Sequence, residues 1–132
     1  MAQHFPALIT LASLLLQVMT LIAVALARVK YKIAAPATTG NENFERIFRV
    51  QMNTLENLVL FLPALWLFAL YVSYFWAGIL GLVWLIGRGY YAISYIKSAE
   101  TRSAGFAIGF LAFVVLAVGA AIGVGLRILA GT

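Results

Sequence analysis

Arg49, Asn53 and Glu56 are spaced four and three residues apart in FERIFRVQMNTLEN, residues 44–57. On a helix this sets a cation, an amide and a carboxylate on one stripe, with Glu45 one turn earlier. An arginine offers a fork of donors, an asparagine donates and accepts, and a carboxylate accepts. Together they suit a zwitterionic ligand with separate carboxylates, amides and an ammonium group, and the same spacing equally suits an intrahelical network at an interface. A second block, GLVWLIGRGYYAISYIKSAETR, starts apolar and ends polar, with Arg88, Tyr91, Tyr95 and Arg102 at i, i+3, i+7 and i+14. Arg88 lies well inside the apolar run, where an ionisable residue is costly and faces the interior of a bundle or a partner. An ion pair with Glu56 is the expectation, because opposite charges at similar depth on neighbouring helices offset each other's desolvation. Tyrosines near helix ends are commonly an aromatic belt, and Tyr71, Tyr74 and Trp76 fit that reading. Tyr91 and Tyr95 differ in sharing a face with two arginines.

The elements that must position these residues are membrane helices. The chain has 132 residues, 64% of them hydrophobic and only 10% charged, far below the roughly 25% charged residues of soluble domains. A spanning helix needs about 20 mainly apolar residues. Four stretches qualify: Phe5 to Ala27, Met52 to Tyr74, Phe75 to Ile96 and Ala104 to Ala130. The predicted fold is all-α, a single four-helix integral membrane domain over 1–132 with almost nothing left for a soluble part. The first stretch ends in AVALAR, which imitates a signal-peptide cleavage site. A signal, however, has a basic start and an apolar core of about 7 to 15 residues, whereas here no Lys or Arg precedes Arg28, so the stretch reads as the first transmembrane helix.

Cysteine is absent, so any thiol chemistry must use the substrate's sulfur. The one histidine, His4, reads as an incidental terminal residue, and no metal site is predicted. The net charge is +5, and its distribution matters more than its size. Arg28, Lys30, Lys32, Arg46 and Arg49 flank the first connection and Lys97 and Arg102 the third, while the second carries no charge and only Arg127 lies on the opposite side. Positive charge stays on the cytoplasmic side of short loops, so both termini are expected on the other side. Basicity arranged this way reflects topology and lipid headgroups rather than nucleic acid. The compactness of the chain points to a bacterial inner membrane with the polar stripes facing the cytoplasm.

Between the first two helices, IAAPATTGNEN holds the breakers Pro36, Gly40, Asn41 and Asn43. Asn43 is expected to cap a second helix running from Phe44 to about Ser73. About thirty residues span about 45 Å against a hydrocarbon core of about 30 Å, so the first turns must stand at or beyond the interface. Pro63 lies deeper, where a kink is expected. The fourth helix carries GFAIG and GAAIG, small-xxx-small patterns suited to close packing.

The blocks TTGNENFERIFRVQMNTLEN and GLVWLIGRGYYAISYIKSAETRSAGF, in this order and separation, resemble the membrane-associated proteins in eicosanoid and glutathione metabolism, the MAPEG family. The similarity runs from Arg28 to about Phe106. It implies a homotrimer of four-helix subunits, with glutathione as co-substrate bound in a cleft between neighbouring subunits near the cytosolic face. Carried over residue by residue, it implies that Arg49, Asn53, Glu56, Tyr91 and Tyr95 of one subunit contact glutathione, as do Arg28 and Gln51 of the next. Arg102 matches the arginine that activates the thiol, and Arg88 a further family arginine, read here as structural. Two positions depart: Asn57 stands where some relatives place an aromatic contact, and Val29 where some carry a second arginine.

The implied activity is that of a detoxifying glutathione transferase acting on hydrophobic electrophiles dissolved in membrane lipid. Reduction of lipid hydroperoxides would use the same thiolate. Other readings remain open: a non-catalytic lipid-binding scaffold or a thiol-dependent lipid peroxide isomerase of the same family. A small multidrug transporter would carry its key carboxylate early in the first helix, and that helix has no acid.

Overall fold

The computed structural model describes residues 1–97 and 103–132. Arg102, the residue matched to thiol activation, lies outside the described residues, as do 98–101. A short 3₁₀ turn, Ala2–His4, leads into four helices: α1 (Phe5–Tyr31), α2 (Glu42–Tyr71), α3 (Tyr74–Lys97) and α4 (Ser103–Leu129). All four are long and apolar enough to cross a membrane. Successive helices run antiparallel, with α2 and α3 joined through Val72 and Ser73 alone.

The ends of the helices follow local chemistry. Helix α1 stops where Lys32 takes a left-handed conformation (φ 56°, ψ 47°) and its backbone N–H bonds the Arg28 carbonyl. Helix α2 starts two residues earlier than the sequence suggested. Asn41 is the cap, extended at φ −157° and ψ 129°, and its Oδ1 accepts from the N–H groups of Asn43 (2.9 Å) and Phe44 (3.1 Å). Asn43 is thus inside the first turn, where its side-chain oxygen accepts instead from Arg46 Nη2. The thirty residues of α2 match the predicted excess over the hydrocarbon thickness, and Pro63 lies within the continuous helix. At the start of α3, Ser73 Oγ accepts from the Trp76 N–H.

The main core lies between α2, α3 and α4. Phe61 and Trp84 stack with ring centroids 3.9 Å apart, and Leu65, Ala77 and Leu116 close around them with no exposed surface. Helices α3 and α4 approach more closely than side chains would permit. A Cβ on Gly87 would lie 2.6 Å from the Gly109 backbone nitrogen, and one on Gly105 would meet the Tyr91 backbone. The first small-residue pair of α4 therefore works by letting backbones touch. The second, Gly119 and Gly123, receives the Phe68 ring and the Tyr71 carbonyl.

Helix α1 has an unforeseen polar spine of Ser13, Gln17 and Thr20, all buried. Ser13 and Thr20 direct their hydroxyls to backbone carbonyls of their own helix. Thr10 carries the contact across to α2, accepting from Trp66 Nε1 at 2.9 Å.

Overpacking a filled contact typically costs about 1–3 kcal/mol, and at Gly105 the obstacle is backbone, which cannot rotate away. Gly105→Leu is expected to lower the thermal midpoint in detergent sharply, whereas Gly125→Leu, where a Cβ meets nothing within 4 Å, should leave it close to wild type. Equal midpoints for the two variants would contradict the close α3–α4 approach.

Candidate functional site

Arg88 is 2% exposed, and α2 supplies its partners. Its Nη2 donates to Asn53 Oδ1 at 2.8 Å and to Thr54 Oγ1 at 3.3 Å. The guanidinium carbon lies 4.2 Å from the centroid of the Tyr91 ring one turn along α3, a cation–π geometry. Asn57 Nδ2 completes the group, donating to the Asn53 carbonyl (2.8 Å) and to its Oδ1 (3.2 Å). Asn53 Oδ1 is thereby held between an arginine and an amide.

The expected Arg88–Glu56 ion pair is not formed. Glu56 lies beside Arg49 instead, Oε1 to Nη1 at 3.8 Å, with both side chains more than half exposed. Helical geometry gives the reason. At about 100° per residue, Arg49, Asn53 and Glu56 fall within a stripe about 60° wide. Arg88 bonds Asn53, at the edge of that stripe, and Thr54, about 100° further round. Glu56 lies on the far side of Asn53 from α3, so matching depth did not bring the charges together.

Toward the positively flanked end, a polar pocket of about 420 Å³ opens between the start of α2 and the end of α3. Thr38, Glu42, Glu45, Arg46, Phe48, Arg49 and Tyr95 line it. Two acids and two bases stand there, at i, i+3, i+4 and i+7 along α2. Glu45 Oε2 accepts from the Gly40 N–H at 3.2 Å, fixing the loop against the helix. Tyr95 joins this pocket to the Arg88 group, its ring centroid 5.5 Å from that of Tyr91. Val50 and Ala92 pack beneath the two rings.

Of the residues singled out in the sequence, Arg49 and Tyr95 thus line one pocket, the half-buried Asn53 and the buried Tyr91 stand behind it, and Glu56 stays with Arg49 at the exposed edge. Arg28 and Gln51 stand apart. Arg28 Nη1 donates to the carbonyls of Ala37 (2.8 Å) and Ile33 (3.3 Å), and its guanidinium carbon lies 5.0 Å from the Phe44 ring centroid. Gln51 is seven residues beyond Phe44, on the stripe that packs against Val24 and Ala27 of α1. It is about 200° around α2 from Arg49. Arg28 and Gln51 are therefore separate from the Arg49 pocket, and Gln51 is buried.

Sequence reasoning missed Thr54, Glu42, Phe48 and Thr38, and it read Asn57 only as a departure. The Asn53/Asn57 spacing of four and the run Glu42, Glu45, Arg46, Arg49 were signals available in the helical pattern.

A family model described as the MAPEG family matches residues 6–122. An uncharacterized protein of Synechocystis sp. is 54% identical over 116 residues, covering 88% of this chain and 85% of its own. Microsomal glutathione S-transferase 2 of Mus musculus is 42% identical over 103 residues, 78% of this chain and 70% of its own. Leukotriene C4 synthase of Mus musculus is 34% identical over 126 residues, covering 96% and 84%.

A hydrogen bond to a charged group contributes about 1.5–3 kcal/mol, and an exposed ion pair at most about 1 kcal/mol. Asn53→Leu, which removes an Arg88 acceptor, should therefore destabilise the protein by about 1.5–3 kcal/mol, and Glu56→Gln by less than about 1 kcal/mol. Denaturation in detergent distinguishes the two. A larger loss for Glu56→Gln would restore the carboxylate as Arg88's partner.

Proposed function

Because the chain belongs to the MAPEG family, we propose that it is a membrane-embedded glutathione transferase, which activates glutathione as a thiolate and conjugates it to hydrophobic electrophiles reaching the site from the bilayer. The observation that carries this reading is the polar pocket between α2 and α3, where Arg46, Arg49, Glu42 and Glu45 surround a space of about 420 Å³ beside Tyr95. Two cations and two carboxylates complement a tripeptide bearing two carboxylates and an ammonium group. Relatives named as a glutathione transferase and a leukotriene C4 synthase support it.

In this reading Arg49, Asn53, Glu56, Tyr91 and Tyr95 hold glutathione from one subunit. Arg28 and Gln51 reach it from a neighbouring copy in a homotrimer, as the family resemblance implies; Arg28 stands apart from the Arg49 pocket, and Gln51 is buried within its own copy. Arg88 orients Asn53 and Tyr91 without touching the ligand. The cation-rich connections favour the cytoplasmic side for the pocket, and in this reading the protein belongs to a bacterial inner membrane.

The role of Arg102 follows from acid–base chemistry. A thiol has a pKa near 8.5, so only a few per cent is ionised at neutral pH, and the thiolate is the nucleophile. A guanidinium stays charged throughout and stabilises the thiolate over the thiol. Lowering the pKa by about two units requires about 2.7 kcal/mol of differential stabilisation, within the range of a charge-assisted contact in a partly dry cleft. The proton leaves to water. The sulfur lone pair then forms a bond to the electrophilic carbon, and either a halide departs or, with an alkenal, the adjacent carbon takes a proton.

Adding glutathione at neutral pH to the purified protein in detergent should raise the ultraviolet absorbance of thiolate, and Arg102→Ala should abolish the rise while glutathione still binds. If glutathione binds to wild type with no thiolate signal, the transferase reading fails in favour of an isomerase. If it does not bind at all, the scaffold reading takes its place.

A further inference from the structure

On another side of the bundle a groove of about 300 Å³ runs between α1, α2 and α3, walled by Leu16, Met19, Ala23, Val50, Gly89 and Ile93. Its one hydroxyl, that of Thr20, is directed to the Gln17 carbonyl of its own helix at 2.7 Å. Met19 and Ile93, 58% and 60% exposed, leave the groove open sideways, where a membrane presents hydrocarbon.

At the positively flanked end, each of the three walls finishes in a cation. On α2, Arg46 stands beside Ile47 and its Nε donates to the carbonyl of Ile96, which ends the α3 wall. Lys97 follows directly and is exposed. On α1, Leu16, Ala23 and Lys30 are seven residues apart and therefore share one stripe. Arg46 borders the polar pocket together with Glu42 and Glu45, and Glu45 bonds the Gly40 N–H. Arg46 has five N–H donors and its contacts to Ile96 and Asn43 use two of them.

The dimensions fit one leaflet. From Leu16 to Lys30 the α1 stripe rises about 21 Å, against about 15 Å for half the hydrocarbon core plus the headgroup layer. Anionic lipid is enriched in the leaflet that basic loops face. We propose that this groove binds an anionic phospholipid, with one acyl chain between α1 and α3 and the phosphate held by Arg46 and Lys97, with Lys30 beside them. The inference requires only that the helices span a membrane. Arg46 also borders the pocket proposed for glutathione, and the two readings are separated by Gly89→Leu and Ile93→Trp, which lie outside that pocket.

The test uses purified full-length protein in nanodiscs of mixed phosphatidylglycerol and phosphatidylcholine, released for native mass spectrometry to identify retained lipid. Wild type should retain phosphatidylglycerol in preference to phosphatidylcholine. Gly89→Leu fills the groove from a position where a Cβ meets nothing within 4 Å, and should lose the retained lipid; Ile93→Trp provides a second plug on the same wall. Arg46→Gln with Lys97→Gln should weaken phosphatidylglycerol retention about thirtyfold, from about 1 kcal/mol per basic residue, and leave phosphatidylcholine unchanged. Equal retention of the two lipids by wild type would overturn the proposal. So would unchanged retention in both plugged variants, or displacement of the lipid by inorganic phosphate alone. A plugged variant that changes oligomeric size while keeping its lipid would assign the groove to a second copy of the chain and equally refute the proposal.

Discussion

A guanidinium buried within an apolar bundle is the constraint to which the candidate site answers. An uncompensated charge at that depth costs several kcal/mol, and α3 can accommodate Arg88 only where a neighbour offers acceptors. Asn53 and Thr54 offer them on adjacent positions of α2, and Tyr91 covers the cation with its ring. Turning α2 by one residue, about 100°, would bring Leu55 or Met52 into that place. The buried arginine thus fixes the rotation of α2 against α3. It thereby fixes the direction in which Arg49 and Glu56, at the interface, are presented.

The α3–α4 contact completes that arrangement from the other side. Because Gly105 and Gly109 carry no side chains, α4 lies against the backbone of α3 at Gly87 and Tyr91. Tyr91 is then confined between Arg88, Val50 and the first turns of α4, and it is only 3% exposed. The tyrosine pair is consequently set by packing on three sides, and Tyr95 enters the pocket wall as the outer member of a rigid layer. Such support is what a binding constellation requires.

The helices were legible because hydrophobic runs of this length have one reading, and the Arg49, Asn53, Glu56 stripe because a 3.6-residue period relates residues within a helix. Relations between helices were less so. Arg88 and Glu56 matched in charge and depth, yet the azimuth of one helix about another depends on packing that no single helix records. The cap was misplaced by two residues because Asn41 and Asn43 have equal chemistry, and only Gly40 (φ 128°) and the extended Asn41 that follows it decide which one precedes the helix. Thr54 and the α1 spine escaped notice since isolated uncharged polar residues make no charge pattern in an apolar run: Ser13 and Thr20 satisfy themselves on nearby carbonyls, and Thr54 accepts from Arg88 of another helix. Arg102 was singled out by family pattern, and its place lies outside the described residues.

The separation of Arg28 and Gln51 from the Arg49 stripe has a consequence for how such a site could work. Gln51 lies about 200° around α2 from Arg49 and is buried, while Arg28 belongs to α1. In the proposed reading Arg28 and Gln51 come from a neighbouring copy, and assembly and binding become linked. Ligand would favour the associated state, and association would raise the apparent affinity. The loop contacts of Arg28, to the Ala37 and Ile33 carbonyls, gain a meaning in that setting: they hold the cation near the mouth of the bundle rather than leaving it to search the interface, which lowers the ordering cost of binding.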